Sequence, residues 1–228
     1  MMECLQKHFE KLQVLRITKN RIGVQGASHL AASFLNMKVL SILDLSHNEI
    51  GDLGMEELAE NLSMSPFNLE EMDISGNHIG KNPTYFARVV PCLIKAFSHF
   101  GRMHTLKMGF NNLRGDQSGN IDKLLTAFID MTALKHLDLQ SNILGQNFGT
   151  QLDRKPPPIC LMSDVLIKTL SLKDLNISNN QMETKSVVSI AHGLSHTQTL
   201  EHIDISGNPI GKYGLRLLLQ SMSNNKDT

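Results

Sequence analysis

The chain has 228 residues, and its 22 Lys plus Arg balance 22 Asp plus Glu, so the formal net charge is zero. That balance provides no electrostatic pull toward nucleic acid or an anionic membrane. With no Trp and only 5% aromatic residues, a base-stacking surface is excluded as well. No apolar run reaches membrane-span length, and the N-terminus lacks the basic-then-apolar order of a signal peptide. Cys4, Cys92 and Cys160 stand far apart with no CxxC pair, which argues against a disulfide framework or zinc site and for free thiols in a reducing, cytoplasmic setting. No cofactor is expected.

One pattern recurs along the chain: apolar, two variable, apolar, one variable, apolar, two variable, Asn, one variable, apolar. It opens as Leu12, Leu15, Ile17, Asn20, Ile22, with a helical face of Ala27, Leu30, Ala31 and Phe34 behind it. Leu40, Leu43, Leu45, Asn48 and Ile50 follow, then Met55, Leu58, Ala59 and Leu62. The third unit is Leu69, Met72, Ile74, Asn77, Ile79, with Phe86, Val89, Val90 and Leu93. Here the Asn82-Pro83 start and Pro91 predict a longer, broken helix. The fourth is Met103, Leu106, Met108, Asn111, Leu113, then Ile121, Leu124, Leu125 and Phe128. The fifth, Leu134, Leu137, Leu139, Asn142, Leu144, leads to a helix starting near Ser163-Asp164. The sixth is Leu172, Leu175, Ile177, Asn180, Met182, then Val187, Ile190, Ala191 and Leu194. The seventh is Leu200, Ile203, Ile205, Asn208, Ile210, then Leu215, Leu218, Leu219 and Met222.

Alternation at the centre of each unit is the period of a short strand with one buried face. The i, i+3, i+4, i+7 spacing behind it is one face of a helix. Parallel strands joined by helical crossovers curve, because helices are wider than strands, which puts strands inside the arc and helices outside. The Asn sits where the chain leaves the strand, and its amide can satisfy backbone groups there. Stacked, Asn20, Asn48, Asn77, Asn111, Asn142, Asn180 and Asn208 are expected to form a polar ladder. The expectation is an α/β solenoid of about seven repeats over 1–228.

The repeat resembles the ribonuclease-inhibitor-like class of leucine-rich repeats. Its Asn-x-Ile-Gly-x-x-Gly fingerprint, with Leu four residues on, is complete from Asn20, Asn48 and Asn208. It is partial from Asn77 and Asn142 and lost from Asn180. The resemblance implies a protein-binding arc. Members of that class include regulators of small GTPases, actin and immune receptors.

The Asn-to-Asn spacings are 28, 29, 34, 31, 38 and 28. The longest places an insertion near 146–162, with Pro156, Pro157 and Pro158, and two-step unfolding divided there is expected. Arg114-Gly115-Asp116 reads as an exposed loop. Residues 5–9 read as the closing helix of a preceding unit, and polar residues follow the last helix, so the chain is expected to be a fragment of a longer array or one with covered ends.

Between the last two buried strand positions of each unit lies a residue expected on the concave face: Arg16, Asp44, Asp73, Lys107, Asp138, Asn176 and Asp204. Two places earlier the column includes Glu71, His136, Asp174 and His202. The face is acidic on balance and would steer a basic protein segment. The column after it is small and polar, and Phe110 beside the Asn ladder is a candidate anchor.

His192 and His196 have Gly193 where a zinc protease needs Glu, and neither a phosphate loop nor a Gly-x-Ser-x-Gly elbow occurs. An enzyme is therefore not expected. The leading expectation is a protein-interaction module or scaffold. A second is a regulator of a small GTPase, resembling Ran GTPase activators, acting through Arg21, Asn112 and Arg114. A third is a structural subunit of an actin-regulating or ciliary complex, or a bacterial effector.

Overall fold

The computed structural model describes residues 9–114, 119–145 and 161–225. Most of the expected 5–9 helix, nearly all of the 146–162 insertion, Gly115 and Asp116 of the Arg-Gly-Asp triplet, Cys4 and Cys160 lie outside them. The chain forms two compact units, Met1–Asn111 and Asn112–Thr228. In the first, strands β1 (Val14–Arg16), β2 (Ile42–Asp44), β3 (Glu71–Asp73) and β4 (Thr105–Lys107) alternate with helices α1 (Gly23–Ser33), α2 (Gly51–Leu62) and α3 (Pro83–His99). In the second, α4 (Asn120–Ile129) leads into β5 (His136–Asp138), α5 (Met162–Lys168), β6 (Asp174–Asn176), α6 (Thr184–Leu194), β7 (His202–Asp204) and α7 (Gly211–Asn224). Each unit is a parallel stack: β1 to β4 pair in chain order, and so do β5 to β7. This is the α/β leucine-rich-repeat solenoid that the repeat pattern predicts.

The strands are three residues long, and the central residue points inward, as the fully buried Leu43 does. Parallel pairing continues past them through the loop. Leu45 N–H donates to Asp73 O, and His47 N–H to Ser75 O. Behind β2, the side chains of Met55, Leu58, Ala59 and Leu62 on α2 are fully buried. Burying a side chain of the Leu or Met kind stabilises by about 1.5–3 kcal/mol.

The asparagines occupy the bend behind the strands. In the first unit Asn20 N–H donates to Asn48 Oδ1 (2.7 Å), Asn48 N–H to Asn77 Oδ1 (2.9 Å) and Asn77 N–H to Asn111 Oδ1 (2.9 Å). In the second, Leu113 N–H donates to Asn142 Oδ1 (3.1 Å), Leu144 N–H to Asn180 Oδ1 (3.3 Å) and Asn180 N–H to Asn208 Oδ1 (2.8 Å). Each interior Asn also donates through Nδ2 to carbonyls of its own loop, as Asn77 does to Ile74 O. In all seven repeats the residue preceding the Asn has left-handed backbone: Lys19, His47, Gly76, Phe110, Ser141, Asn179 and Gly207.

Two packing features are absent from the repeat pattern. Phe34, Phe67 and Phe100 form an aromatic row in the first unit, the first pair edge-on at 5.8 Å and the second stacked at 6.1 Å. Such pairs add about 0.5–1.5 kcal/mol each beyond their buried area. The buried Asp52 on α2 accepts from Gly80 N–H (2.6 Å) and Asn82 N–H (2.9 Å), tying one repeat to the loop of the next.

Two expectations are corrected. The α3 helix runs unbroken through Pro91. Pro91 lies on the exposed face, where water can take up the carbonyl its ring leaves unpartnered. On α7 only Leu218 of the expected apolar face is buried, whereas Leu215, Leu219 and Met222 are exposed. Within the described residues α7 packs on α6, and no further helix lies on its other side.

Candidate protein-binding face

The register places the expected face residues in columns. Arg16, Asp44, Asp73 and Lys107 are partners across β1 to β4. Asp138, Asn176 and Asp204 are partners across β5 to β7. One row earlier run Val14, Ile42, Glu71 and Thr105 in the first unit, and His136, Asp174 and His202 in the second.

The acidic column also has a local role. Asp44 Oδ1 accepts from the N–H and hydroxyl of Ser46, and Asp73 Oδ1 from the N–H of Ser75. Asp138 Oδ1 accepts from Gln140 N–H, and Asp204 Oδ1 from the N–H and hydroxyl of Ser206. These Asx turns close the strand ends. The Ser206 hydroxyl, and after it the Ser206 N–H, hold the Asp204 carboxyl below the usual aspartate range, so it is ionised at neutral pH. Asn176 makes the same turn with Ser178, through N–H at 3.1 Å and hydroxyl at 2.8 Å. The turn therefore requires an acceptor oxygen and not a charge.

Lys107 Nζ lies 3.9 Å from Asp73 Oδ2, an exposed contact worth little to stability. On the second unit Asp174 takes the Nδ1 atoms of His136 (2.5 Å) and His202 (2.7 Å), one on each oxygen. The adjacent Lys173 and Glu201 form an ion pair, which raises the lysine above its ordinary value.

Phe110 follows β4, 49% exposed and with its φ at 53°. Left-handed backbone recurs at this position in every repeat, so it belongs to the loop; what sets Phe110 apart is an exposed aromatic side chain there. Its ring centroid is 6.0 Å from that of His47, two repeats away. Gly76 lies between them at φ 66°, and a Cβ there would come within 2.3 Å of His47 Nδ1. Gly76→Ala is expected to displace His47 from Phe110 and to destabilise the first unit by about 1–2 kcal/mol through the left-handed backbone alone. Denaturant unfolding and the ring-current shifts of His47 check both parts. The repeat pattern identifies Phe110. His47 becomes visible only once the register brings it across Gly76.

Of the GTPase-regulator residues, Arg21 is exposed at φ 51°, while Asn112 and Arg114 are half-buried and Arg114 forms a parallel bridge to Ile143. Among the described residues no His, Cys, Asp and Glu cluster surrounds a common metal position. No described helix is long and apolar enough to cross a membrane.

Leucine-rich-repeat family models match residues 10–31, 36–59, 170–191 and 196–219, and a further leucine-rich-repeat model matches 68–89. The chain belongs to the leucine-rich-repeat family, whose folds are typically non-enzymatic protein-interaction modules. It is similar to Tonsoku-like protein of Bos taurus, 28% identical over 235 residues, covering 92% of this chain and 17% of that protein. It is also similar to Protein NLRC5 of Mus musculus, 28% identical over 89 residues, covering 39% of this chain and 4% of that protein. The chain thus spans a small fraction of the curated relatives it matches. Among solved structures, the protein in a TLR13–ssRNA13 complex aligns with a TM-score of 0.49 at 13% identity, covering 96% of this chain and 32% of that one.

Proposed function

We propose that the chain is a protein-interaction module of the ribonuclease-inhibitor-like kind that holds a basic segment of a partner protein against its strand face. The carrying observation is Asn176. It makes the column's turn without a charge, so the carboxylates of Asp44, Asp73, Asp138 and Asp204 exceed what the fold needs. Two positions after the column residues stand Thr18, Ser46, Ser75, Gly109, Gln140, Ser178 and Ser206, mostly small, which let a partner's main chain approach closely. In the first unit, Phe110 beside His47 is the aromatic anchor that a contact of this kind uses. We place the module in the cytoplasm, in keeping with the free thiol of Cys92.

The test is a peptide array graded from acidic to basic. Basic peptides are expected to be retained, less so as salt rises. Asp→Asn changes at Asp44 with Asp73, or at Asp138 with Asp204, preserve the turns. Each pair is expected to weaken binding about fivefold to thirtyfold, at roughly 0.5–1 kcal/mol per exposed charge, with unchanged thermal stability. Retention that ignores peptide charge overturns the reading.

A further inference from the structure

We propose that the edge of the second unit formed by β7, its loop and α7 receives the first repeat of a second copy of this chain, stacked head to tail in parallel register. The proposal goes beyond the basic-segment reading and does not require it.

The main chain supplies the first reason. Between the first and second repeats four N–H groups cross the stack: Ile17 donates to Asp44 O (2.8 Å), Lys19 to Ser46 O (3.0 Å), Asn20 to Asn48 Oδ1 (2.7 Å) and Gly23 to Asn48 O (2.9 Å). The equivalent donors of the seventh repeat are the N–H groups of Ile205, Gly207, Asn208 and Gly211, and none has an acceptor among the described residues. On the first repeat Arg16 O, Thr18 O, Asn20 Oδ1 and Asn20 O hold the places that Asp44 O, Ser46 O, Asn48 Oδ1 and Asn48 O hold on the second. The two edges thus match donor for acceptor when β7 lies beside the β1 of a second copy. A strand edge with unpaired main-chain groups is a template for such pairing.

The side chains supply the second. Leu215, Leu219 and Met222 are exposed on α7 at the places of Met55, Ala59 and Leu62 on α2, which are fully buried. A cavity of about 260 Å³ opens beside them, lined by Leu194, Leu200, Ile203 and Met222 among others. On the first repeat Leu12 and Leu15 are half-buried, whereas their counterparts Leu40 and Leu43 are buried. Both edges therefore show apolar surface that stacking covers within the array. Gly54 lets α2 approach α1, since a Cβ there would lie 3.1 Å from Ala27 Cβ and 3.3 Å from Val24 Cα; Gly26 holds the same place on α1.

Charge selects the head-to-tail arrangement. The register that pairs Arg16 with Asp44 would set Arg16 of one copy beside Asp204 of the other. Two β7 edges meeting about a two-fold axis would instead bring the Asp204 strands together, like charge against like. Head-to-tail contacts continue into a ring or a filament, because each copy keeps one free edge until the assembly closes.

The full chain is the sample. Sedimentation velocity is expected to show mass rising with concentration above that of a single chain. Hydrogen exchange at the amides of Ile205, Gly207, Asn208 and Gly211 is expected to slow in step. Leu215→Glu with Leu219→Glu changes only exposed positions and blocks the β7 edge; Val14→Glu with Arg16→Glu, also exposed, sets two carboxylates on β1 against Asp204. Each double variant is expected to self-associate about tenfold more weakly, or weaker still. Mixed in equal amounts they retain one intact edge each, and are expected to form one-to-one pairs that grow no further. An unaltered chain that stays monomeric at every concentration overturns the inference. So does a β1 variant that associates as strongly as the unaltered chain, the mark of a β7-to-β7 contact. Association that leaves the four amides exchanging freely overturns it as well.

Discussion

Replacing Asn77 by alanine is expected to destabilise the first unit by about 3–5 kcal/mol, a large part of the roughly 5–15 kcal/mol that holds a typical domain folded. The side chain is fully buried. Its Oδ1 accepts from Asn48 N–H at 2.9 Å and Ile50 N–H at 3.4 Å, and its Nδ2 donates to Leu45 O at 2.9 Å and Ile74 O at 3.1 Å. Alanine leaves two buried N–H groups without that acceptor, where water cannot replace it. Each orphaned group costs about 1–3 kcal/mol. Leu45 O keeps a second donor in Asn48 Nδ2, which limits the loss on the carbonyl side. Asn20 is the internal comparison. It is exposed and donates through Nδ2 to Thr18 O, so Asn20→Ala is expected to cost under about 1 kcal/mol. Equal denaturation midpoints for the two variants would falsify the ladder account.

Phe128→Ala carries the largest expected effect in the second unit. The ring is fully buried on α4 together with Ile121, Leu124 and Leu125. Removing a buried Phe costs about 3–5 kcal/mol, because the transfer free energy is lost and the cavity refills incompletely. Stability in stacked repeats is a sum of nearest-neighbour contributions, so the damage is local. Hydrogen exchange at β5 and α4 is expected to accelerate while β1 and β2 keep their protection. Uniform acceleration over the whole chain would show a single cooperative block. The spacing of the asparagines points to a division of unfolding near 146–162, whereas the compact units divide at Asn111 and Asn112. Two-step unfolding is therefore expected at the latter position.

How much of this is legible in the sequence differs by feature. Strands and asparagines are plain because each repeat sets the same residue type in the same place: Leu43, Met72 and Leu106 recur in pattern and are register partners. Helical faces are legible as apolar, but periodicity does not say what covers them. The spacing on α2 and α7 is the same, yet Met55 and Leu62 are buried while Leu215 and Met222 are exposed. The Asp column is visible in the sequence, but its turn-closing role is not, since that depends on the bend bringing Ser46 and Ser206 N–H back onto the carboxylates. The Asp174 clamp is similarly hidden: His136 and His202 are 66 positions apart, and only side-chain rotamers turn both rings onto one residue. The Phe34, Phe67 and Phe100 row recurs every 33 positions, out of step with the asparagine spacings of 29 and 34 in the same stretch, so the repeat pattern does not point to it.

The strand register of the second unit is also a ruler. Adjacent parallel strands lie about 4.8 Å apart, so Asp138 and Asp204, on the outer two of three strands, are spaced by about 9.6 Å. An extended β-peptide lying across the stack repeats a side at about 6.6 Å and falls out of step with them. A left-handed polyproline helix advances about 9.3 Å per three-residue turn and stays in phase. For the basic segment proposed above, cations recurring every third residue match this spacing.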